Sequence, residues 1–150
     1  MSELEWRTDA FAELSSAGLY AILRERSRVF VVEQDCVYCD LDGLDAGSHH
    51  LQGLSPAGEL AAYARLLPPG LSYPEASVGR VITSPEFRGA GHGRELLRRA
   101  IAECERLFGP GPLQIGAQRY LEGWYGEFGF KTVGEPYLED GIPHLHMLRA

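Results

Sequence analysis

A short β run, Val78 to Thr83, stops at Pro85 and leads into Arg88-Gly89-Ala90-Gly91-His92-Gly93, after which Gly91 to Phe108 reads as a long helix. This strand, glycine loop and helix constrain the fold more than any other stretch. Leu96, Leu97, Ala100, Ile101, Cys104 and Leu107 recur at intervals of three and four, so the helix has one apolar face and needs a sheet to bury it. Glycines permit positive φ and let a ligand approach the backbone without a Cβ in the way. The first turn of the helix adds free N–H groups and the positive end of the helix dipole. With Arg88 and Arg94 beside it, the loop is a candidate anion site. The alternative is a glycine-rich turn that only starts a helix, and the glycines alone do not separate the two.

Other phosphate motifs fit poorly. A P-loop requires Gly-Lys followed by Ser or Thr, which is absent. A dinucleotide fold places its glycines early, inside a βαβ unit. Here they lie mid-chain, after a hairpin.

The hairpin is Leu51 to Leu54 and Leu60 to Leu67 around Ser55-Pro56-Ala57-Gly58-Glu59. Before it, Leu4 to Thr8 alternates as a first strand. Leu19, Ile22, Leu23, Arg26 and Phe30 mark a helix capped by Ser15 or Ser16. After the long helix, Gly109-Pro110-Gly111-Pro112 forces a stop. Leu113 to Ala117 is a strand and Arg119 to Phe128 a second helix. Lys131 to Leu138 and His144 to Arg149 are strands around the turn Glu139-Asp140-Gly141-Ile142-Pro143. The order predicts an α/β (α+β) domain: a central mixed, mostly antiparallel sheet flanked by helices. With 150 residues and no linker or repeat, residues 1–150 are expected to form a single domain.

The net charge of −7 argues against a nucleic-acid partner. Thirteen of the fourteen basic residues are Arg, which grips phosphate through paired hydrogen bonds. No apolar run approaches the ~20 residues of a membrane span. The start, Met1-Ser2-Glu3-Leu4-Glu5-Trp6, lacks a basic-then-apolar leader, so a cytoplasmic location is expected.

Arg88-x-x-Gly91-x-Gly93 after Val81-Ile82-Thr83-Ser84-Pro85 resembles the acetyl-CoA signature of the GCN5-related N-acetyltransferases (GNAT). Trp124-Tyr125-Gly126-Glu127-Phe128-Gly129-Phe130 resembles the aromatic-Tyr-x-x-x-Gly-Phe ending of that family's last helix. Three further stretches resemble its ElaA-type subgroup: Arg28 to Gln34, Asp40-Leu41-Asp42-Gly43-Leu44-Asp45, and Glu139 to His144. The resemblance implies the GNAT acyl-CoA N-acyltransferase fold and acetyl-CoA as co-substrate. It implies that Val81, Ile82 and Thr83 offer backbone groups to the pantetheine arm. Arg88, Gly89, Ala90, Gly91, His92, Gly93 and Arg94 would wrap the pyrophosphate. Gln118 falls where the family often has Asn, and Tyr125 becomes the candidate acid for the departing thiolate. The structural alternative for Tyr125 is a core aromatic among Trp124, Phe128 and Phe130.

The implied reaction is acetyl transfer to a primary amine by direct attack in a ternary complex. It needs a polarised carbonyl, a neutral amine, and an acid for a thiol of pKa about 8.5. Many family members carry an acid where this chain has Arg80, which is too basic to serve as a base. The candidates are Glu33, Asp42, His49, His50 and His144. Glu33 ends the first helix and can line the acceptor side or be a solvated helix end. Asp42 and Asp45 are turn residues or contacts for a substrate ammonium. Asp42, His49 and His144 are the expected acceptor contacts. His49 and His50 point to opposite faces of a strand, whereas His144 and His146 share one.

Two rival readings come from other classes. One is a non-catalytic acyl-CoA-binding or sensing module on the same fold. The other is an interaction domain with zinc on Cys36-Val37-Tyr38-Cys39 and His49-His50, which requires all four side chains to converge. No second CxxC is present, so no metal is expected. Cys104 lies on the apolar helix face and reads as core. The acceptor is expected to be a small-molecule or peptide amine, and a homodimer is left open.

Overall fold

The computed structural model describes residues 3–150. Seven strands form two antiparallel sheets. The first runs β1 (Glu5–Ala10), β2 (His49–Leu54), β3 (Leu60–Leu67) and β4 (Ser77–Thr83), paired in that order. The second has the order β5 (Leu113–Gln118), β7 (Ile142–Arg149), β6 (Lys131–Glu139). The sheets touch through one parallel bridge, Ala76 to Leu113, where the Gln114 N–H donates to the Ala76 carbonyl at 3.0 Å. Beyond that bridge β4 and β5 run parallel without pairing, and a cleft opens between their C-terminal halves. The arrangement is mixed, mostly antiparallel and flanked by helices, as the sequence predicts.

All eight residues of β3 are buried because helices cover both faces of its sheet. Ala62, Ala64 and Leu66 share a cluster with Leu96, Leu97, Ala100 and Cys104 of α2 (His92–Phe108). Ile115, Ala117, Leu145 and Met147 of the second sheet complete that cluster, so α2 ties the two sheets together. On the opposite face Tyr63 packs with Ile22 of α1 (Ser16–Arg26) and with Val29. Ser15 caps α1 by accepting the Gly18 N–H at 2.9 Å.

Three elements depart from the sequence reading. The first helix does not stay α-helical to Phe30: Ser27–Glu33 is a π-helix, with Gln34 N–H on Val29 O and Cys36 N–H on Val31 O. The β-branched Val29, Val31 and Val32 crowd an α turn, and π segments of this kind gather at functional sites. The helix expected over Arg119 to Phe128 is a 3₁₀ turn, Arg119–Leu121, followed by α3 (Glu122–Gly126). Gly123, Gly126 and Gly129 weaken a longer helix. The last hairpin turns on two residues, Asp140 at φ 50° and Gly141 at φ 77°. Two consecutive positive-φ residues suit a tight type I′ turn, so β6 and β7 extend further than expected. Pro143 sits outside the β5 pairing, where its missing N–H costs only one ladder.

Candidate active site

The cleft between β4 and β5 has two lobes. One, of about 400 Å³, is lined by Tyr38, Asp42, Arg80, Glu139 and His144 among others. The other, of about 610 Å³, is lined by Glu33, Thr83, Arg88, Gly93 and Trp124 among others. Six residues line both: Phe30, Gln34, Val81, Gln118, Leu121 and Tyr125. The junction therefore brings β4, β5, the π-helix and α3 to one place.

A β-bulge shapes the β4 wall. Tyr63 pairs with Ile82 and Arg65 with Gly79, so Arg80 and Val81 together oppose the single residue Ala64. Arg80 carries the extra residue in a left-handed conformation, φ 50°. A bulge leaves backbone groups outside the ladder. Here they fall at the junction of the lobes, where Val81 lines both. Val81, Ile82 and Thr83 all line the larger lobe, and the buried Ile82 also packs with Ile22 of α1.

The glycine loop closes the larger lobe. Gly89 and Gly91 have φ of 89° and 81°, values that side chains with a Cβ rarely adopt. Gly91 is the N-cap of α2 and supplies no side-chain cap, so the first N–H groups of the helix stay free. Arg88 donates from Nε to Thr83 O at 3.0 Å, which ties the loop to the end of β4. Ala90 is exposed at the loop tip, His92 begins α2, and Arg94 is exposed with Nη2 on Glu127 at 2.9 Å. The loop therefore presents free N–H groups beside two arginines at the end of the larger lobe.

Tyr125 sits at the junction, 8% exposed, with its ring edge-on to Trp124 and Phe130. Its hydroxyl has no hydrogen-bond partner among the described residues. Burial, with a smaller push from Tyr120, drives its pKa up to about 12. It is thus a phenol, with a proton to give, at neutral pH. Gln118 crosses the junction and donates from Nε2 to Gln34 Oε1 at 3.2 Å.

Glu33 is corrected. It lines the larger lobe and not the smaller, and its carboxylate accepts two hydrogen bonds from Arg88, at 2.7 and 2.8 Å. The Arg88 hydrogen bond holds its pKa below the usual carboxylate value. His49 is corrected too. It lies on the α2 side of β2, edge-on to Phe108 with ring centroids 5.7 Å apart, and lines neither lobe. His50 faces the other way, as the alternation predicts, and is fully buried. Its Nε2 donates to Asp45 O at 2.9 Å, so its Nδ1 accepts from the Tyr63 hydroxyl at 2.6 Å.

Asp42 does line the smaller lobe, but its carboxylate is engaged by Arg65 through two hydrogen bonds of 2.8 Å, with Arg80 Nη2 at 3.4 Å. Burial pushes its pKa up; hydrogen bonds from Arg65 and the Leu44 N–H, with the charges of Arg65 and Arg80, outweigh it and leave it at about 2. Asp42 is thus a poor base at neutral pH. The three Asp residues of the Asp40 to Asp45 loop anchor three arginines. Arg26 donates to Asp40 at 2.8 Å and Asp45 at 2.6 Å, and Arg65 to Asp42 and Asp45. Arg80 donates to Asp40 O at 2.8 Å, with Nε at the same distance from Asp40 Oδ1 but poorly aligned for a hydrogen bond. Arg80 is thus a strut between β4 and this loop.

His144 lies in the smaller lobe, with Nδ1 2.7 Å from Ile142 O and Nε2 3.4 Å from Glu139. His146 shares its face, stacked on Tyr137. The Cys and His residues of the zinc reading do not converge. Cys36 Sγ bonds Asp140 O, Cys39 Sγ bonds Leu41 O, and the two histidines have the separate partners given above. Sequence reasoning missed Phe30, Gln34, Tyr38, Glu139 and Gly116. Gln34 and Glu139 lay inside motifs already singled out; Gly116 gave no signal.

Residues 16–149 match the family described as Acetyltransferase (GNAT) domain. The chain belongs to the GNAT family. It is 44% identical to a UPF0039 protein of Synechocystis over 97% of this chain and 95% of that protein. It is 41% identical to protein ElaA of Escherichia coli over 97% and 96%. Among solved structures, an acyl-CoA N-acyltransferase from Pseudomonas aeruginosa superposes with a TM-score of 0.93 at 44% identity, covering 98% of this chain and 99% of that one. Escherichia coli ElaA superposes with a TM-score of 0.90 at 40% identity and the same coverage. This GNAT chain thus has the acyl-CoA N-acyltransferase fold and is ElaA-like along nearly its whole length. No helix among its described residues is long and apolar enough to cross a membrane.

Proposed function

We propose that this chain transfers the acetyl group of acetyl-CoA to a primary amine by direct attack in a ternary complex. The observation that carries the reading is Tyr125 at the junction of two lobes, one of which ends in an anion loop. The pyrophosphate lies on the N-terminus of α2 beside Arg88, and the pantetheine arm follows Val81 to Thr83. That path brings the thioester to the bulge, where free backbone groups polarise its carbonyl. The amine enters from the smaller lobe. Confinement of both reactants converts a bimolecular step into an effectively unimolecular one.

Tyr125 gives the leaving sulfur its proton. A phenol of pKa about 12 is a weak donor to a thiolate in water. Inside the cleft the thiolate suffers the same desolvation, which narrows the mismatch. Direct transfer is favoured over a covalent acyl-enzyme because the two cysteines of the smaller lobe are turned to carbonyl oxygens on its rim. The family description supports acetyl as the acyl group.

Titration calorimetry with acetyl-CoA, followed by thiol release with a panel of primary amines, tests the reading. Binding in the micromolar range and amine-dependent thiol release are expected. Absence of binding at high micromolar acetyl-CoA defeats it; binding without thiol release from any amine favours the sensing module.

A further inference from the structure

With Arg80, Glu33 and Asp42 all committed to ion pairs, the reaction proposed above still lacks a group that takes a proton from the acceptor. We infer that His144 is that general base, with Glu139 as the positioning residue that receives its proton and passes it to solvent. The inference rests on the acyl-transfer reading and extends it.

The argument starts from the tautomer. His144 Nδ1 lies 2.7 Å from the carbonyl oxygen of Ile142, two residues earlier on β7. A carbonyl oxygen only accepts, so Nδ1 carries the hydrogen. In the neutral ring the lone pair is then on Nε2, the nitrogen a base must use. The backbone of the same strand fixes this choice, so it survives movement elsewhere in the lobe.

Nε2 in turn lies 3.4 Å from Glu139 Oε2, across the hairpin. Neutral, it presents a lone pair to a carboxylate. Once protonated, it donates to that carboxylate, and the imidazolium is bonded at both ends. His144 is 8% exposed, whereas the Glu139 side chain is 60% exposed, so the pair leads from the buried lobe to water. The ring is clamped by Tyr137, whose centroid is 5.7 Å away. The other ionisable groups around it are His146 on the same face beyond Tyr137, Tyr73 behind Tyr137, Asp140 in the turn, Cys36 and Cys39 on the rim, and Tyr38, Asp42, Arg80 and Tyr125 lining the same lobe. Among the described residues, Glu139 alone forms an ion-pair contact with His144. Gln118, which lines both lobes, is the β5 partner of His144, so the ring sits beside the junction where the thioester arrives.

The proton balance closes. An ammonium acceptor gives one proton to Nε2 and becomes the neutral amine. Its lone pair forms the N–C bond to the thioester carbon, and the C–S bond then breaks. The nitrogen loses a second proton to Tyr125 as Tyr125 gives its own to the departing sulfur. The amide keeps the third. Tyr125 ends as it began, and the proton on His144 leaves through Glu139.

Two measurements test this. Long-range ¹H–¹⁵N correlation spectra of the full chain report the tautomer directly, whatever its activity; a neutral His144 protonated on Nε2 overturns the inference. The second compares acceptors by thiol release from acetyl-CoA at pH 7: propylamine, which is protonated there, and hydroxylamine, which is neutral. His144→Asn keeps a donor for Ile142 O but no base. It is expected to lower kcat with propylamine roughly 100-fold or more and with hydroxylamine less than about threefold. Glu139→Gln, at an exposed position that leaves the fold intact, is expected to show the same selectivity on a smaller scale. Equal losses with both acceptors, or none, overturn the assignment. If wild type releases thiol with neither acceptor nor with any other amine of the panel, the acyl-transfer reading itself is defeated, and the base falls with it.

Discussion

The carboxylate of Glu33 holds the guanidinium of Arg88 by two hydrogen bonds, at 2.7 and 2.8 Å, across the mouth of the larger lobe. Glu33 ends the π-helix and Arg88 begins the glycine loop, so the pair joins two walls of the cleft. A pyrophosphate on the loop must compete with that carboxylate for Arg88 or sit beside it, and both cost free energy. Removing the negative charge of Glu33 is therefore expected to tighten coenzyme A binding. Glu33→Gln should lower the Kd for coenzyme A severalfold at low salt, with the gain shrinking as ionic strength rises. Arg88→Ala should raise it roughly tenfold or more, the loss of a charged hydrogen bond. Calorimetry in two salt concentrations decides this; weaker binding by Glu33→Gln defeats the competition.

Tyr125 offers a cleaner separation of roles. Its hydroxyl has no hydrogen-bond partner among the described residues, while its ring is packed by Trp124 and Phe130. Tyr125→Phe should leave stability within about 0.5 kcal/mol of wild type. It should also leave the Kd for acetyl-CoA unchanged, and lower kcat on the order of 100-fold. Unchanged turnover across the pH range would return Tyr125 to the core.

The glycine loop of the candidate site was legible in the sequence because its chemistry is local. Arg88 to Arg94 are contiguous, their glycines announce positive φ, and the helix that follows announces a dipole. The smaller lobe was not, because it is assembled from β4, β7, the Asp40 loop and the π-helix, and pairings across such distances leave no spacing to read. Asp42 shows this well. Its turn chemistry was visible, but not the arginine of β3 that claims both of its oxygens. Glu33 shows the complementary error: its position at a helix end was right, and only the π register revealed which lobe it serves. The two histidine pairs were sorted correctly by alternation, which is a local rule; that His49 meets Phe108 of α2 is not.

The arginine and aspartate cluster beneath the smaller lobe sets an acid limit on stability. Asp42 has a folded pKa of about 2, below its unfolded value near ~3.9. The unfolded chain therefore binds that proton first as pH falls. The contribution of Asp42 is complete above about pH 4 and is lost on the way down to 2. Asp45 is lowered in the same direction: burial opposes ionisation, and Arg26 and Arg65 outweigh it. Urea unfolding between pH 2 and 6 should show stability rising with pH through this window. Asp42→Asn should flatten the rise, and an unchanged slope would mean that the pair with Arg65 adds nothing.

Arg26 is the buried centre of that cluster, with side-chain exposure of 0% and two carboxylate partners, Asp40 and Asp45. Arg26→Met keeps much of the volume but takes one charged partner from each carboxylate, leaving Asp40 to Arg80 and Tyr38 and Asp45 to Arg65. A loss of roughly 3–5 kcal/mol is expected, the cost of breaking buried ion pairs from one side. Arg26→Met with Asp40→Asn should recover part of it, because one under-paired charge is then gone. Denaturant midpoints of the single and double variants measure the difference.

Gly116 links the floor of the smaller lobe to two tyrosines. A Cβ there would lie 2.8 Å from the hydroxyl of Tyr137 and 2.9 Å from that of Tyr73. Its backbone is ordinary β-strand, so the cost of Gly116→Ala is steric and not conformational. The tyrosine hydroxyls are the free ends of their side chains and can retreat, which limits the destabilisation to about 1–2 kcal/mol. Retreat moves Tyr137, and with it the clamp on His144. The loop at Arg88 lies in the other lobe and is untouched. Gly116→Ala should therefore leave the Kd for acetyl-CoA unchanged while kcat/KM for the amine falls, and parallel calorimetry and thiol-release assays separate the two. A matching loss of acetyl-CoA binding would show that the lobes are coupled through β5 and not divided at Tyr125.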